Sequence, residues 1–354
     1  MRIGLIGPTQ SGKTTLFSAI TGQAPDPAHM AQENLATVTV PEPRLDLLVQ
    51  LYKPKKRVEA HIEFVDIPGF SLETPHQQEE FRKHFPSLRL CDCLVAVVRD
   101  FASDRVATYR NRVDAAADLE ELRTELIFAD LEAVANRIQR LNKSLSRPSK
   151  TSAEEKAELA FMQRLQEALE AEKPVSSVVE SAEEHKWVSS FQFLTEKPLV
   201  VVINVDEGRA AAAPDFQAKD AHSTIALCAE IEAEIAQLEG DDRKAFLEDL
   251  GVAEAAHDRL IHLCYEAAGM ICFLTYAGDE CRAWTVRKGA DALEAAGKIH
   301  TDIARGFIRA EVVAYDDLGE AGDHKAAKAA GKVRLEGKSY VVADGDVIQF
   351  RFNV

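Results

Sequence analysis

Five short apolar runs rich in valine and isoleucine punctuate the chain, at residues 2–7, 60–66, 93–99, 198–204 and 223–228. Between them lie stretches whose apolar residues recur every three or four positions. Strand-length runs alternating with helical periods predict an α/β fold, a parallel sheet covered by helices on both faces. Between Ile20 and His61 the pattern weakens. Leu35–Val40 fits an edge strand that Pro41-Glu42-Pro43 stops, and Arg44–Tyr52 fits a short helix.

Residues 115–172 break the alternation. Leu119, Leu122, Leu126, Leu131, Val134, Ile138, Leu141 and Leu145 fall mostly three and four apart. Ser146-Arg147-Pro148-Ser149 reads as a turn, and Ser152-x-x-Glu155 as a capping box opening a second helix with Leu159, Met162, Leu165 and Leu169. An inserted α-helical coiled-coil hairpin results, spanning 115–189. It is either an ordinary buried helix pair or a projecting arm that touches a partner. The charged flanks and narrow apolar seam favour the arm.

From residue 271 short strands return. They fall at Ile271–Tyr276 and Cys281–Val286, then at 310–314, 332–335, 339–342 and 346–352, with a helix over 290–304 and Asp344-Gly345 as a turn. A helix laid across a small mixed sheet predicts a β-grasp domain over 271–354. Residues 1–114 and 190–270 then make up the sheet domain.

Composition narrows the class. No apolar run approaches the ~20 residues of a membrane span, and the N-terminus enters a strand with no leader pattern, so a cytoplasmic protein is expected. The six cysteines (91, 93, 228, 264, 272, 281) are scattered, several inside apolar runs, as buried free thiols are. The formal net charge of −16 falls mostly between 114 and 274. Such a chain does not bind nucleic acid through bulk charge, so no DNA partner is expected and any RNA contact is local.

The chemistry begins at the first strand. Gly7-Pro8-Thr9-Gln10-Ser11-Gly12-Lys13-Thr14-Thr15 contains G-x-x-x-x-G-K-[ST], preceded by a strand-like run and followed by a helical pattern. Backbone N–H groups in such a turn aim at phosphate oxygens at the positive end of a helix. Lys13 would reach the β- and γ-phosphates, and Thr14 would ligate Mg²⁺. About fifty residues later a strand closes in Asp66-Ile67-Pro68-Gly69. Asp66 would hold Mg²⁺ through water, and the Gly69 N–H would sense the γ-phosphate. Asn204-Val205-Asp206-Glu207 ends a later strand and parallels the guanine motif N-K-x-D, with Val205 in the lysine position and Glu207 in the aspartate position. The added methylene moves the carboxylate, so guanine specificity is lost and adenine becomes plausible. Cys228 and Ala229, closing the next strand, would offer a backbone N–H to the base. Lys53–Arg57 is a basic run, a solvated turn or a phosphate-contacting patch. Arg282, Trp284, Arg287 and Lys288 put base and aromatic together, either as an RNA contact or as a core tryptophan ringed by solvated charges.

These segments, with Val40-Pro41-Glu42-Pro43-Arg44-Leu45-Asp46, Arg282–Val286, Gly306–Val312, Gly331–Lys338 and Asp344–Val354, resemble the YchF-type NTPases of the Obg family of translation-associated P-loop proteins. The likeness covers nearly the whole length, and the tail is its most specific part. It implies a P-loop NTPase G domain, a coiled-coil arm, a C-terminal TGS-like domain, Mg²⁺ with bound ATP preferred over GTP, and association with the ribosome or another RNA–protein particle.

The switch segments depart from the family. Its switch I threonine has no clear counterpart, Thr37 or Thr39 being the nearest. Its glycine-rich switch II is replaced by Phe70-Ser71-Leu72-Glu73-Thr74-Pro75-His76, and Phe70 stands where many GTPases keep a glutamine. Thr108 stands where the family tends to place a histidine. The catalytic residue is thus unassigned. Two functions follow: a slow ATPase switch docking on a ribosome, or a nucleotide-binding adaptor with little hydrolysis. A P-loop kinase lacks a lid pattern and does not explain the tail.

Overall fold

The computed structural model describes residues 1–23, 32–104, 106–146, 152–210, 212–252 and 254–353. In chain order the first part runs β1 (Arg2–Ile6), α1 (Lys13–Thr21), β2 (Asn34–Thr39), α2 (Arg44–Tyr52), β3 (Lys56–Val58), β4 (His61–Asp66), α3 (Pro75–Arg82), α4 (Phe85–Arg89) and β5 (Cys93–Asp100). Then come α5 (Ala115–Leu145), α6 (Ser152–Glu170), α7 (Ala182–Ser189), β6 (Leu199–Val205), β7 (Ser223–Leu227), α8 (Ala229–Ile235), α9 (Gly240–Asp249) and α10 (Ala256–Ala267). The chain forms two compact units, Met1–Ala36 with Glu63–Cys264, and Thr37–Ile62 with Tyr265–Val354.

In the first unit the sheet order is β2-β4-β1-β5-β6-β7. β4, β1, β5, β6 and β7 pair in parallel. Nearly every residue of β5 and β6 is buried, which requires helices on both faces. Parallel pairing brings the carboxyl ends of these strands to one end of the sheet, where residues 7–12, 67–72, 101–104, 106–108, 206–210 and 228–229 gather.

α5 serves two cores. Leu119, Leu122 and Leu126 pack with sheet residues such as Val98, Val201 and Ile203. Further along, Ile127, Val134 and Leu141 pack with Phe161, Met162, Leu165 and Leu169 of α6. Arg137 holds Glu158 across that seam through two 2.7 Å bonds. Fully buried Asp130 accepts the N–H groups of Leu194 and Thr195, at 3.0 and 2.7 Å, tying the hairpin to the approach to β6. The expected turn at Arg147-Pro148-Ser149 and the capping side chain of Ser152 lie outside the described residues. α7 has no counterpart in the sequence pattern.

The second unit adds β8 (Met270–Ala277), β9 (Glu280–Arg287), α11 (Ala292–Ile299), α12 (Thr301–Arg305), β10 (Phe307–Ala314), α13 (Tyr315–Ala321), α14 (His324–Ala329), β11 (Arg334–Glu336) and β12 (Asp346–Phe352). Its sheet order is β11-β10-β12-β8-β9-β3. Ala292, Ala295 and Ala296 of α11 pack on Phe273, Val286, Val312 and Ile348. Several expectations change here. Residues 37–62, read as part of the first domain, cluster with the tail. The basic run contributes β3, which pairs in parallel with β9 rather than forming a free turn. The helix expected over 290–304 breaks at His300, whose φ of −164° is extended. Residues 339–342 form no strand; Val341 makes only an isolated bridge to Asp291. The short helices α13 and α14 have no signal in the apolar pattern. All six cysteines are free and buried. No helix among the described residues is long and apolar enough to cross a membrane.

Candidate functional site

The loop between β1 and α1 is built for anions. α1 starts at Lys13 with no side-chain cap and no acid in its first turn, so its leading N–H groups remain for a ligand. Gly12 has φ +86°, and a Cβ there would lie 2.0 Å from the Asn204 amide nitrogen, so only glycine fits. Thr9, Gln10, Ser11, Gly12, Lys13, Thr14 and Thr15 line a cleft of about 1160 Å³. Gly7 is not on its wall; it lies beneath the loop, where its carbonyl accepts the Phe70 N–H at 3.1 Å.

Lys13 and Asp66 form a buried ion pair, 4% and 3% exposed. Burial pulls the Lys13 ammonium below its ordinary value, and Asp66 opposes this. Thr14 donates its hydroxyl to the other Asp66 oxygen at 3.2 Å. A hydroxyl and a carboxylate converging at a helix N-terminus are hard oxygen donors suited to Mg²⁺, which keeps several waters and takes phosphate oxygens. No group of three His, Cys, Asp or Glu able to hold a metal occurs among the described residues, so the ion would depend on those other donors. Thr37 is the further ligand considered from the sequence. It lies exposed within β2, where strand pairing holds the backbone extended.

The segment after Asp66 is sewn onto the loop. Thr9 N–H donates to the Phe70 carbonyl at 2.8 Å. A Cβ on Gly69 would sit 2.9 Å from Thr9 Cα, so the two backbones approach as closely as glycine allows. Phe70 is 2% exposed. Its ring packs 4.8 Å from Phe81 and 6.1 Å, edge-on, from Tyr109. The Tyr109 hydroxyl accepts the Leu72 N–H at 3.3 Å and donates to Glu121 at 2.8 Å. Position 70 therefore presents no polar group to the cleft.

Asn204, Val205, Glu207, Cys228 and Ala229 all line the same cleft. Their roles divide. The Asn204 amide donates to the Ser11 carbonyl and accepts the Ala229 N–H, both at 2.9 Å. That N–H is thereby committed and is not the base donor expected of it. Val205 is 4% exposed and packs in the sheet core. Glu207 opens the 3₁₀ turn Glu207–Arg209 and is exposed to the cleft. Arg209 clamps that turn, binding Asp100 at 2.7 Å, Asp206 at 3.2 Å and Asp215 at 3.1 Å. Burial raises the Cys228 thiol.

Two lining residues escape a reading of the sequence. Phe101 follows β5; Arg99 lies 4.3 Å over its ring and bonds the carbonyls of Phe101, Val106 and Ala107. His84 joins α3 to α4. Neither sits in a motif; the one signal is an arginine ending a buried strand. In the second unit Trp284 packs on the core cluster and donates to the Thr275 hydroxyl at 2.9 Å, with Arg282 4.1 Å over its ring. Arg287 and Lys288 are exposed.

The YchF-GTPase_C family model, described as a protein of unknown function, matches residues 270–353. A second model, described as a 50S ribosome-binding GTPase, matches residues 2–142. The chain is 41% identical to the "Ribosome-binding ATPase YchF" of Bacillus subtilis, covering 99% of both chains. It is 37% identical to the protein so named in Haemophilus influenzae, over 100% of this chain and 99% of that one. It is 34% identical to the "Obg-like ATPase 1" of rice, over 100% and 92%. The solved Schizosaccharomyces pombe YchF GTPase is similar with a TM-score of 0.84 at 27% identity, over 99% of this chain and 97% of that one. An uncapped helix start behind a Gly-Lys-Thr loop, a strand-end aspartate paired to its lysine, and relatives alike from end to end carry one conclusion: the chain belongs to the YchF family of P-loop NTPases.

Proposed function

We infer that this protein binds Mg²⁺–ATP in the cleft and hydrolyses it slowly, with GTP less favoured, as a cytoplasmic switch associated with the ribosome. The convergence of Lys13, Thr14 and Asp66 at the open start of α1 is the observation that carries this reading. The α1 N–H groups and Lys13 would take the phosphates, with the Gly69 N–H facing the last of them. Mg²⁺, held through Thr14 and Asp66, would neutralise charge between the β- and γ-phosphates. Glu207 would accept from the exocyclic amine of adenine, which guanine does not present in that position.

The relatives' names supply the ribosome. The α5–α6 hairpin and the tail are the surfaces offered for it, with Arg282, Arg287 and Lys288 around Trp284 as the RNA-contacting group. No membrane or DNA partner is proposed. A second reading, an adaptor with little hydrolysis, is favoured by Phe70, whose position supplies nothing to hold water.

The test is titration of nucleotide-stripped protein with ATP and GTP plus Mg²⁺, then turnover with and without ribosomes. Turnover that rises on ribosomes supports the switch. Tight ATP binding without turnover in either condition leaves the adaptor. Lys13→Ala should abolish binding under both, and retention of ATP would refute the P-loop assignment.

A further inference from the structure

His84 stands on the cleft wall with Gln77 and Glu80. Its Nδ1 lies 2.8 Å from one oxygen of Glu33, and the Ser87 hydroxyl donates to the other oxygen at 2.6 Å. A carboxylate against Nδ1 makes that nitrogen the N–H and leaves Nε2 as an acceptor. The imidazole thus has both a defined tautomer and a defined ring plane.

Its place in the cleft follows from the sheet. β1, which launches the phosphate loop, lies between β4 on one side and β5, β6 and β7 on the other. Glu207 and Cys228 come from the β6–β7 side. Gly69 and then α3 follow β4, so the α3 wall adjoins the end of the cleft assigned to the terminal phosphate.

Other polar groups on that wall are engaged elsewhere. The Gln77 side chain caps α3 by accepting the Thr74 N–H at 3.0 Å. Glu80 is paired with Lys83. Phe70 is turned into the aromatic cluster. His84 combines a basic lone pair with an orienting partner.

We propose that His84 holds the attacking water during ATP hydrolysis, with Glu33 as the positioning residue behind it and Ser87 steadying Glu33. This rests on the hydrolase reading. The water oxygen forms the new bond to the γ-phosphorus. The bond from phosphorus to the bridging oxygen breaks, and its electron pair leaves on ADP. The water proton passes to Nε2 and returns to the released phosphate.

The experiment compares ATP turnover and ATP affinity in wild type, His84→Ala, His84→Asn, Glu33→Gln and Ser87→Ala, on the full chain with Mg²⁺–ATP. His84→Asn retains a donor toward Glu33 and so guards against a fold defect. Both His84 variants should lose about 100-fold in kcat while their ATP affinity changes by less than about twofold. Added imidazole should restore about tenfold of that loss in His84→Ala. Glu33→Gln should lose about tenfold in kcat, and Ser87→Ala less. A kcat within about twofold of wild type in both His84 variants overturns the proposal, as does a fall matched by an equal loss of ATP affinity. A wild-type chain that binds ATP but releases no phosphate removes the hydrolase reading itself, a failure visible before any variant is made.

Discussion

The Asn204 amide donates to the Ser11 carbonyl at 2.9 Å, joining residues 193 positions apart. Its oxygen takes the Ala229 N–H, so one side chain fixes the phosphate loop against the start of α8. Asn204 is buried, and its truncation strands a donor and an acceptor. Asn204→Ala should cost about 2–4 kcal/mol of stability. ATP and GTP affinity should fall in parallel, because the change loosens the loop that holds the phosphates both nucleotides share. Thermal denaturation and paired titrations check this; a fall confined to one nucleotide would contradict it.

Base choice should rest on Glu207 alone. Restoring the full guanine motif would also need a lysine at Val205, whose side chain is 4% exposed and packs in the sheet core, so the longer stem would disturb that packing. Glu207→Asp should therefore shift the ATP-to-GTP affinity ratio toward GTP by on the order of 1 kcal/mol. An unchanged ratio would remove Glu207 from the base site.

Phe70→Gln should not create a GTPase. The position faces Phe81 and Tyr109, so glutamine would bury an amide among rings. Expected is a loss of about 2–4 kcal/mol in stability with no gain in turnover. Denaturant melts with phosphate-release assays would show either outcome.

Asp118 predicts a pH dependence. It is 2% exposed, with Arg112 at 3.0 Å. Burial outweighs the guanidinium and pushes its carboxyl up to about 6. The folded chain holds this proton more tightly than the unfolded chain does. The stabilisation from Asp118 is therefore complete below about pH 4 and is lost as pH rises through about 6. Asp118→Asn, which keeps the shape without the charge, should be more stable than wild type by about 1–2 kcal/mol at pH 7.5, a value reduced for partial solvent screening. The advantage should vanish below about pH 4. A constant difference across pH 3.5–8 would refute the assignment.

The parallel sheet, the hairpin and the phosphate loop were legible because each is written locally. Val200–Val205 is a strand by its own residues, and Gly12-Lys13-Thr14 needs only the flanks beside it. The fate of 37–62 was not. β3 is three polar or half-buried residues with no apolar signature, and its pairing with β9 spans more than two hundred positions. Asn204 was found as a motif residue, but its partners Ser11 and Ala229 follow from tertiary geometry. His84 was invisible because what distinguishes it is the carboxylate of Glu33, far away in sequence.

The tail is not a portable module. The chain passes from one compact unit to the other at Ala36, returns at Glu63, and crosses again after Cys264. Cutting before Tyr265 would leave the tail fragment without β3 to close the β9 edge and without α2, whose Tyr52 stacks 3.9 Å from Tyr276. Residues 265–354 expressed alone should be poorly soluble, and a separate 37–62 peptide should rescue them in trans.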